Sequence, residues 1–114
     1  MYAQSTLIRV PLGYMEQMRE MIRRDYFPIL EERPGFVSAL LLEQEDDPDR
    51  AEMLVIWQDQ AAVERFNSTG MLEATIHALA AYLPEAQVQR QGYRLSVSAG
   101  KPLAEVEALP AVAV

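Results

Sequence analysis

The chain has 114 residues and a formal net charge of −7, half of its residues are hydrophobic, and it contains no cysteine. The length and the hydrophobic fraction indicate one globular domain with its own hydrophobic core. The negative charge disfavours nucleic-acid binding. The lack of cysteine excludes disulfides and zinc–thiolate sites. No apolar run is long enough to span a bilayer and the first residues lack a secretory signal, so we expect a cytoplasmic protein that does not bind membranes.

The first half of the chain predicts a strand, a long helix and a second strand. A β-branched and apolar run over residues 6–10 predicts the first strand. Apolar residues at three- and four-residue steps predict a helix over residues 14–30, in which Pro28 predicts a kink or a break near Tyr26 and Phe27. A turn at residues 32–35 ends the helix, and residues 36–43 predict the second strand.

The second half predicts two further strands around a divided helix. Residues 52–57 predict the third strand, which a polar turn joins to the second as a hairpin. Helices are predicted over 60–67 and 71–83, and a last strand over 88–97. The order β-α-β-β-α-β predicts an α+β, ferredoxin-like fold: an antiparallel sheet with helices on one face. We assign residues 1–98 to this single domain and 99–114 to a C-terminal tail, disordered or packed on a partner subunit.

The second and third predicted strands are apolar on both faces. The second strand has Phe36, Leu40 and Leu42 on one face and Val37, Ala39 and Leu41 on the other. In the third strand, Leu54 and Ile56 oppose Met53, Val55 and Trp57. Because the helices of so short a chain cover one face only, the other needs a partner. We predict a homodimer through this face; the alternative is that it closes around the chain's own loops and tail.

Several short motifs follow one another around the only tryptophan. They are Arg33-Pro34-Gly35-Phe36, Asp46-Asp47-Pro48, Trp57, Asp59, Ala61-Ala62 and Ser68. This ordered set resembles the antibiotic biosynthesis monooxygenase family, within the dimeric α/β-barrel superfamily. The resemblance implies a homodimeric barrel with a pocket between sheet and helices in each subunit. It also implies oxygenation of polycyclic phenols and quinols without a cofactor, with haem degradation in relatives.

The resemblance leaves three functions open. We predict a cofactor-independent monooxygenase that oxidises a small phenolic, quinol or polyketide-like aromatic with O2, using no cofactor and no metal. Val55 stands where the family commonly has Glu, and Phe66 and Gly70 stand where it often has His. These departures favour the alternative of a non-catalytic, dimeric ligand-binding or accessory domain. The third function is haem binding or degradation, although the first strand lacks the Asn of the haem-degrading relatives.

Aromatic residues are the candidates for binding an aromatic substrate. Such a site needs apolar, aromatic walls and a few donors or bases that handle the proton. Trp57, Phe66, Tyr26 and Phe27 are the predicted substrate-binding residues. For each of them the alternative is packing in the core.

Two polar residues are the candidates for catalysis. His77 is the only imidazole and hence a candidate general base, but it lies four residues after Glu73, where an exposed Glu–His pair forms on a helix. Arg9 on the first strand could stabilise a phenolate or enolate; alternatively it lies at the sheet edge or pairs with an acid of the other subunit. No metal-ligand spacing is present.

Overall fold

A computed structural model of the protein describes residues 1–83 and 85–100, apart from the side chain of Tyr82. The strands are β1 (Tyr2–Arg9), β2 (Phe36–Glu43), β3 (Arg50–Trp57) and β4 (Gln87–Arg94). The helices are α1 (Met15–Met21), α2 (Phe27–Glu31), α3 (Gln60–Ser68) and α4 (Met71–Tyr82), with a π-helical turn, Ile22–Tyr26, between α1 and α2. The order of elements confirms the predicted fold class. None of the described helices is long and apolar enough to cross a membrane.

The four strands form one antiparallel sheet in the order β2-β3-β1-β4. This is the order of a ferredoxin-like sheet, with the first strand in an inner position. Even-numbered residues of β1 face the helices: Ile8 of β1 packs in the core beside Ala51 of β3 and Val88 of β4. The odd-numbered residues of β1 face the other way, and we call that side the open face.

A β-bulge changes the faces that alternation predicts for β2. The register shifts between Phe36 and Ser38, so that Val37 is an extra residue opposite β3. Phe36 therefore faces the helices together with Ala39 and Leu41, and it packs against Trp57. The prediction that Phe36 shares a face with Leu40 and Leu42 is wrong, because one inserted residue reverses the alternation on its N-terminal side.

The first helical segment changes from a π-helical turn to an α-helix near Pro28, where a kink or a break is predicted. Pro28 has no N–H to donate. The N–H of Phe27 bonds the carbonyl of Ile22, five residues back, which closes a π turn before α2 begins. The predicted kink or break near Tyr26 and Phe27 is thus a transition from π to α helix.

The junction of β3 and α3 explains most of the motifs that surround Trp57. Asp59 caps α3 by accepting a hydrogen bond from the N–H of Ala62 (2.9 Å). Gly35 has a φ of +83°, and a Cβ there would lie 2.5 Å from the Cβ of Ala62. The turn before β2 therefore packs directly on the first turn of α3, which requires a glycine and a small residue.

Three predicted strand boundaries move by two residues or more, and one of them is the start of β3, which begins at Arg50 and not at residue 52. Strand β1 begins at Tyr2, four residues before the predicted start, and β4 ends at Arg94, before the predicted end at Val97. The N–H of Leu95 still bonds the carbonyl of Met1 (3.0 Å). Residues 101–114 of the predicted tail lie outside the described residues.

Candidate functional site

Three of the predicted substrate-binding aromatics form one buried cluster on the helix side of the sheet. The ring centroids of Trp57 and Phe66 are 5.3 Å apart, and those of Phe66 and Tyr26 are 6.4 Å apart. Trp57 is 0 % exposed, and Phe66 and Tyr26 are 2 % exposed. The fourth, Phe27, is partly buried and packs against the same core. The structure thus brings three of the four together, as packed side chains and not as the walls of an open pocket.

The polar atoms of this cluster lie in an apolar setting. Among the described residues, the buried indole N–H of Trp57 has no hydrogen-bond partner. Burial raises the pKa of the Tyr26 phenol well above its ordinary value, and the positive charge of Arg90 opposes part of that rise. The Tyr26 hydroxyl therefore stays protonated at neutral pH.

The space between the sheet and the helices is almost filled. An interior cavity of about 20 Å³ lies between Thr6 and Ile8 of β1, the π turn at Tyr26, and Thr75 and Leu79 of α4. A cavity of this size holds at most one water molecule. We call it the interior cavity, and it cannot accept an aromatic ring without movement of the helices.

A much larger depression opens beside the aromatic cluster, between α3 and the strands β1 and β4. Its volume is about 480 Å³, within the range of small-molecule sites. We call it the Tyr2 groove. The residues that line it are Tyr2, Gln4, Val63, Asn67, Arg90, Gln91 and Gly92.

Strand pairing positions the floor of the Tyr2 groove. Gln4 lies opposite Gly92 in the β1–β4 register, and Tyr2 lies opposite Trp57 in the β1–β3 register. A Cβ on Gly92 would come 2.0 Å from the Tyr2 hydroxyl oxygen, so the Tyr2 ring extends over β4 into space that any side chain at position 92 would fill. Gln4 is only 8 % exposed. A phenol ring and a buried carboxamide therefore line one continuous surface.

Arg90 provides the positive charge of the Tyr2 groove. It lies on β4 opposite Thr6 and thus on the helix side of the sheet. Its Nη2 lies 2.9 Å from Oε1 of Glu73, in the first turn of α4, so the two side chains form an ion pair. Among the described lining residues Arg90 is the only charged one, so the groove combines one guanidinium with neutral donors and an aromatic ring.

The sequence did not identify these lining residues as candidates. Tyr2 and Gln4 precede the predicted start of the first strand, and Arg90 and Gly92 lie on a strand with weak alternation. The available signal was Gly92 inside a strand, since such a glycine marks the close approach of another group. Only the register shows that this group is Tyr2.

The two predicted catalytic residues lie away from the Tyr2 groove. His77 is exposed on α4 and lines neither the groove nor the interior cavity. Arg9 is on the open face, where its Nη2 lies 3.4 Å from Oδ2 of Asp47 in the hairpin turn. Glu73, the predicted partner of His77, pairs with Arg90 instead. Their catalytic roles stay predictions.

Within residues 1–83 and 85–100, no group of three or more His, Asp or Glu side chains is arranged to hold a metal ion.

Comparison with known proteins identifies relatives at the level of family and fold. The family model described as "Antibiotic biosynthesis monooxygenase" matches residues 1–78. No curated protein matches the sequence. The fold is similar to that of SnoaB, a cofactor-independent oxygenase from Streptomyces nogalater, with a TM-score of 0.72 and 18 % identity over 88 % of this chain and 97 % of SnoaB. It is also similar to a mutant of MhuD that holds two manganese protoporphyrin IX molecules per active site. That match has a TM-score of 0.71 and 19 % identity over 89 % of this chain and all of MhuD.

Proposed function

The chain belongs to the antibiotic biosynthesis monooxygenase family, and from this premise we propose that it is a cofactor-independent monooxygenase. Its substrate is a small phenolic, quinol or polyketide-like aromatic, and its oxidant is O2. The Tyr2 groove carries the proposal, because this depression of about 480 Å³ places the guanidinium of Arg90 and the carboxamides of Gln4 and Asn67 beside an aromatic ring. SnoaB, a cofactor-independent oxygenase, shares the fold.

In the proposed reaction the substrate itself supplies the electrons. The deprotonated aromatic substrate donates electrons to O2. When the substrate is a phenol and the product a quinone, one oxygen atom of O2 becomes the new carbonyl oxygen. The other oxygen atom takes two hydrogens from the substrate and leaves as water. Arg90 stabilises the phenolate by charge, and the carboxamides of Gln4 and Asn67 offer hydrogen bonds to it. The Tyr2 ring and Val63 provide apolar contact with the aromatic substrate.

Oxygen uptake with a panel of quinols and anthrones tests this function. We expect uptake with at least one of them, and a loss of about tenfold or more in kcat/KM for Arg90→Gln, because a charge-assisted hydrogen bond to the substrate is removed. Arg23→Gln is the matched control, since Arg23 is an exposed guanidinium on the π turn, paired with Glu20. Uniform inactivity across the panel would count against the proposal. Arg9→Gln and His77→Ala in the same assay test the two predicted catalytic residues.

We further propose that two copies of the chain associate through the open face. Leu42 is 47 % exposed on this face, and Leu7, Leu40 and Leu54 are only partly buried there. Ser38 and Ile56, also on the open face, are already buried within one chain, so part of the face is covered without a partner. The remaining leucines favour a homodimer, because each buried leucine contributes about 1.5–3 kcal/mol.

The mass in solution tests the dimer. We expect light scattering after gel filtration to give twice the mass of the chain, and Leu54→Arg to give a monomer, because the added charge would be buried at the interface. Leu12→Arg is the matched control, since Leu12 is 80 % exposed in the loop between β1 and α1. A wild-type monomer at micromolar concentrations would contradict the proposal.

The second candidate function is a non-catalytic ligand-binding or accessory domain. The interior cavity favours it: at about 20 Å³ the space between sheet and helices is closed by packed side chains. Ligand binding in the Tyr2 groove without oxygen uptake would support this function over the oxygenase.

Haem does not fit the described residues. His77, the only imidazole, is exposed on α4 and lines neither the Tyr2 groove nor the interior cavity, and the interior cavity is far too small for a porphyrin. A Soret band that appears on titration with haemin and is lost in His77→Ala would contradict this conclusion.

The domain boundaries and the location of the protein stay predictions. The described structure extends to Gly100, two residues past the predicted boundary at 98. We retain one domain over residues 1–98, a tail over 99–114 that is disordered or packed on the partner, and a cytoplasmic location.

A further inference from the structure

We propose that Arg90 anchors an acidic oxygen of the ligand in the Tyr2 groove, and that Glu73 occupies this anchor when no ligand is bound. The inference rests on the proposed function and adds the class of substrate: an aromatic molecule that carries one acidic oxygen, as a phenolate, an enolate or a carboxylate.

The position of Arg90 makes it available to a ligand in the groove. It lies on the helix side of β4, two residues before Gly92, where the missing side chain leaves room for the Tyr2 ring. The positive charge of Arg90 also acts on the buried Tyr26. It lowers the pKa of the Tyr26 phenol, whereas burial raises that pKa by more. Arg90 therefore lines the Tyr2 groove within electrostatic reach of Tyr26, and its partly exposed guanidinium is accessible to the acidic group of a ring that packs against Tyr2.

A ligand can replace Glu73 at Arg90 with little loss of stability. The side chain of Arg90 is 38 % exposed and that of Glu73 is 59 % exposed. A single ion pair of 2.9 Å between them connects β4 to α4. Exposed pairs of this kind contribute little to stability, because water competes with them and two long side chains must be held in place. A ligand oxygen that enters the groove can bind the same guanidinium of Arg90. Gln4 lines the groove as well and is only 8 % exposed, so water competes less for a ligand bound beside it.

The other lining residues restrict the charge of the ligand. Arg90 is the only charged residue among the described residues of the groove, and the chain carries a net charge of −7. One cation neutralises one acidic oxygen, whereas a phosphate monoester with two negative charges would leave one uncompensated. The carboxamides of Gln4 and Asn67 can donate to neutral oxygens of the same ligand. The groove thus favours a monoanionic aromatic over a neutral or doubly charged one.

Calorimetric titration with 2-naphthoate and its neutral isostere 2-naphthamide tests the anchor without any turnover. We expect wild-type protein to bind naphthoate more tightly than naphthamide. Glu73→Gln should tighten naphthoate binding about two- to fivefold, because it removes the competing carboxylate, and Arg90→Gln should weaken it about tenfold or more. Naphthamide affinity should change less than twofold in both variants.

Two controls separate the anchor from a general effect of charge. Glu20→Gln removes the same charge from an exposed pair with Arg23, and it should leave naphthoate binding unchanged. In Glu73→Gln/Arg90→Gln the gain from the first substitution should vanish, since Glu73 acts only through Arg90. The inference is overturned if neither probe binds, if Arg90→Gln binds naphthoate as wild type does, or if Glu20→Gln and Glu73→Gln behave alike. Oxygen uptake is a separate readout: naphthoate binding through Arg90 without uptake would retain the anchor and contradict the oxygenase.

Discussion

The helix side of the sheet has two regions that differ in packing and polarity. Under α4, apolar side chains close around an interior cavity of about 20 Å³. Beside α3 and β4, the Tyr2 groove offers about 480 Å³ lined mostly by polar groups. The aromatic cluster of Trp57, Phe66 and Tyr26 belongs to the closed region. The large aromatic residues near the family signature are therefore packed and buried, and the open surface is formed by smaller and more polar neighbours.

Removal of the indole of the closed region should change stability more than any other single substitution considered below. Trp57→Ala should lower the free energy of unfolding by about 3–5 kcal/mol, because a fully buried ring is replaced by a cavity. Urea denaturation measures this, with Leu12→Ala as the control that should change it by less than about 0.5 kcal/mol. A loss below about 1 kcal/mol would show that Trp57 lines an accessible pocket and would remove the distinction between the two regions.

Enlarging the interior cavity tests whether the closed region can become a binding site. Leu79 is 5 % exposed and lines the cavity, so Leu79→Ala should cost about 2–5 kcal/mol. The new space is apolar, and benzene should bind there and raise the melting temperature of the variant but not of wild type. Equal stabilisation of both proteins by benzene would mean that the wild-type interior already opens.

Two glycines offer a matched comparison of the regions. Gly35→Ala should cost about 1–3 kcal/mol, because a Cβ at its φ of +83° is strained and lies 2.5 Å from the Cβ of Ala62. Gly92→Ala should cost less, since the atom it meets is the hydroxyl of Tyr2, at the end of a movable side chain. It should instead displace Tyr2 and weaken naphthoate binding. The reverse order of unfolding free energies would show that Tyr2 is rigidly held.

The pH dependence of stability gives the smallest effect. Burial raises the pKa of Tyr26, so the phenol stays protonated in the folded protein while the unfolded chain loses its proton near pH 10. This contribution to stability is fully present below pH 10 and is lost as the pH rises, by about 1.4 kcal/mol at pH 11. Urea denaturation at pH 8–11 should show a shallower decline for Tyr26→Phe than for wild type. Parallel declines would place Tyr26 in contact with water.

The motifs around Trp57 predicted the scaffold, although only some of their roles are local. Asp59 caps the helix that follows it, which depends on residue types at short spacing and can be recognised in a sequence. The tight contact between Gly35 and Ala62 joins elements that are distant in the chain, so the sequence marks the turn at Gly35 but not its contact with Ala62. Trp57 itself was correctly placed at the end of β3, but its burial depends on Phe36 and Phe66, which arrive from other elements.

The bulge at Val37 shows why strand faces were harder to predict. Alternation in sequence assumes an uninterrupted ladder, and one extra residue reverses it. Nothing in the composition of β2 marks that residue, because Val37 is an ordinary strand former. The side chain of Phe36 was consequently placed on the wrong face.

The order of elements, the family and the cap that follows Trp57 could be predicted from the amino-acid sequence alone, since periodicity, caps and turns act between residues close in the chain. The tertiary structure alone decided which space is open. The Tyr2 groove joins residues from β1, α3 and β4, and its anchor pairs β4 with α4. Such contacts are set by strand register and by the volumes of side chains that pack against each other from distant parts of the chain. Neither can be predicted from the spacing of residues along a short segment.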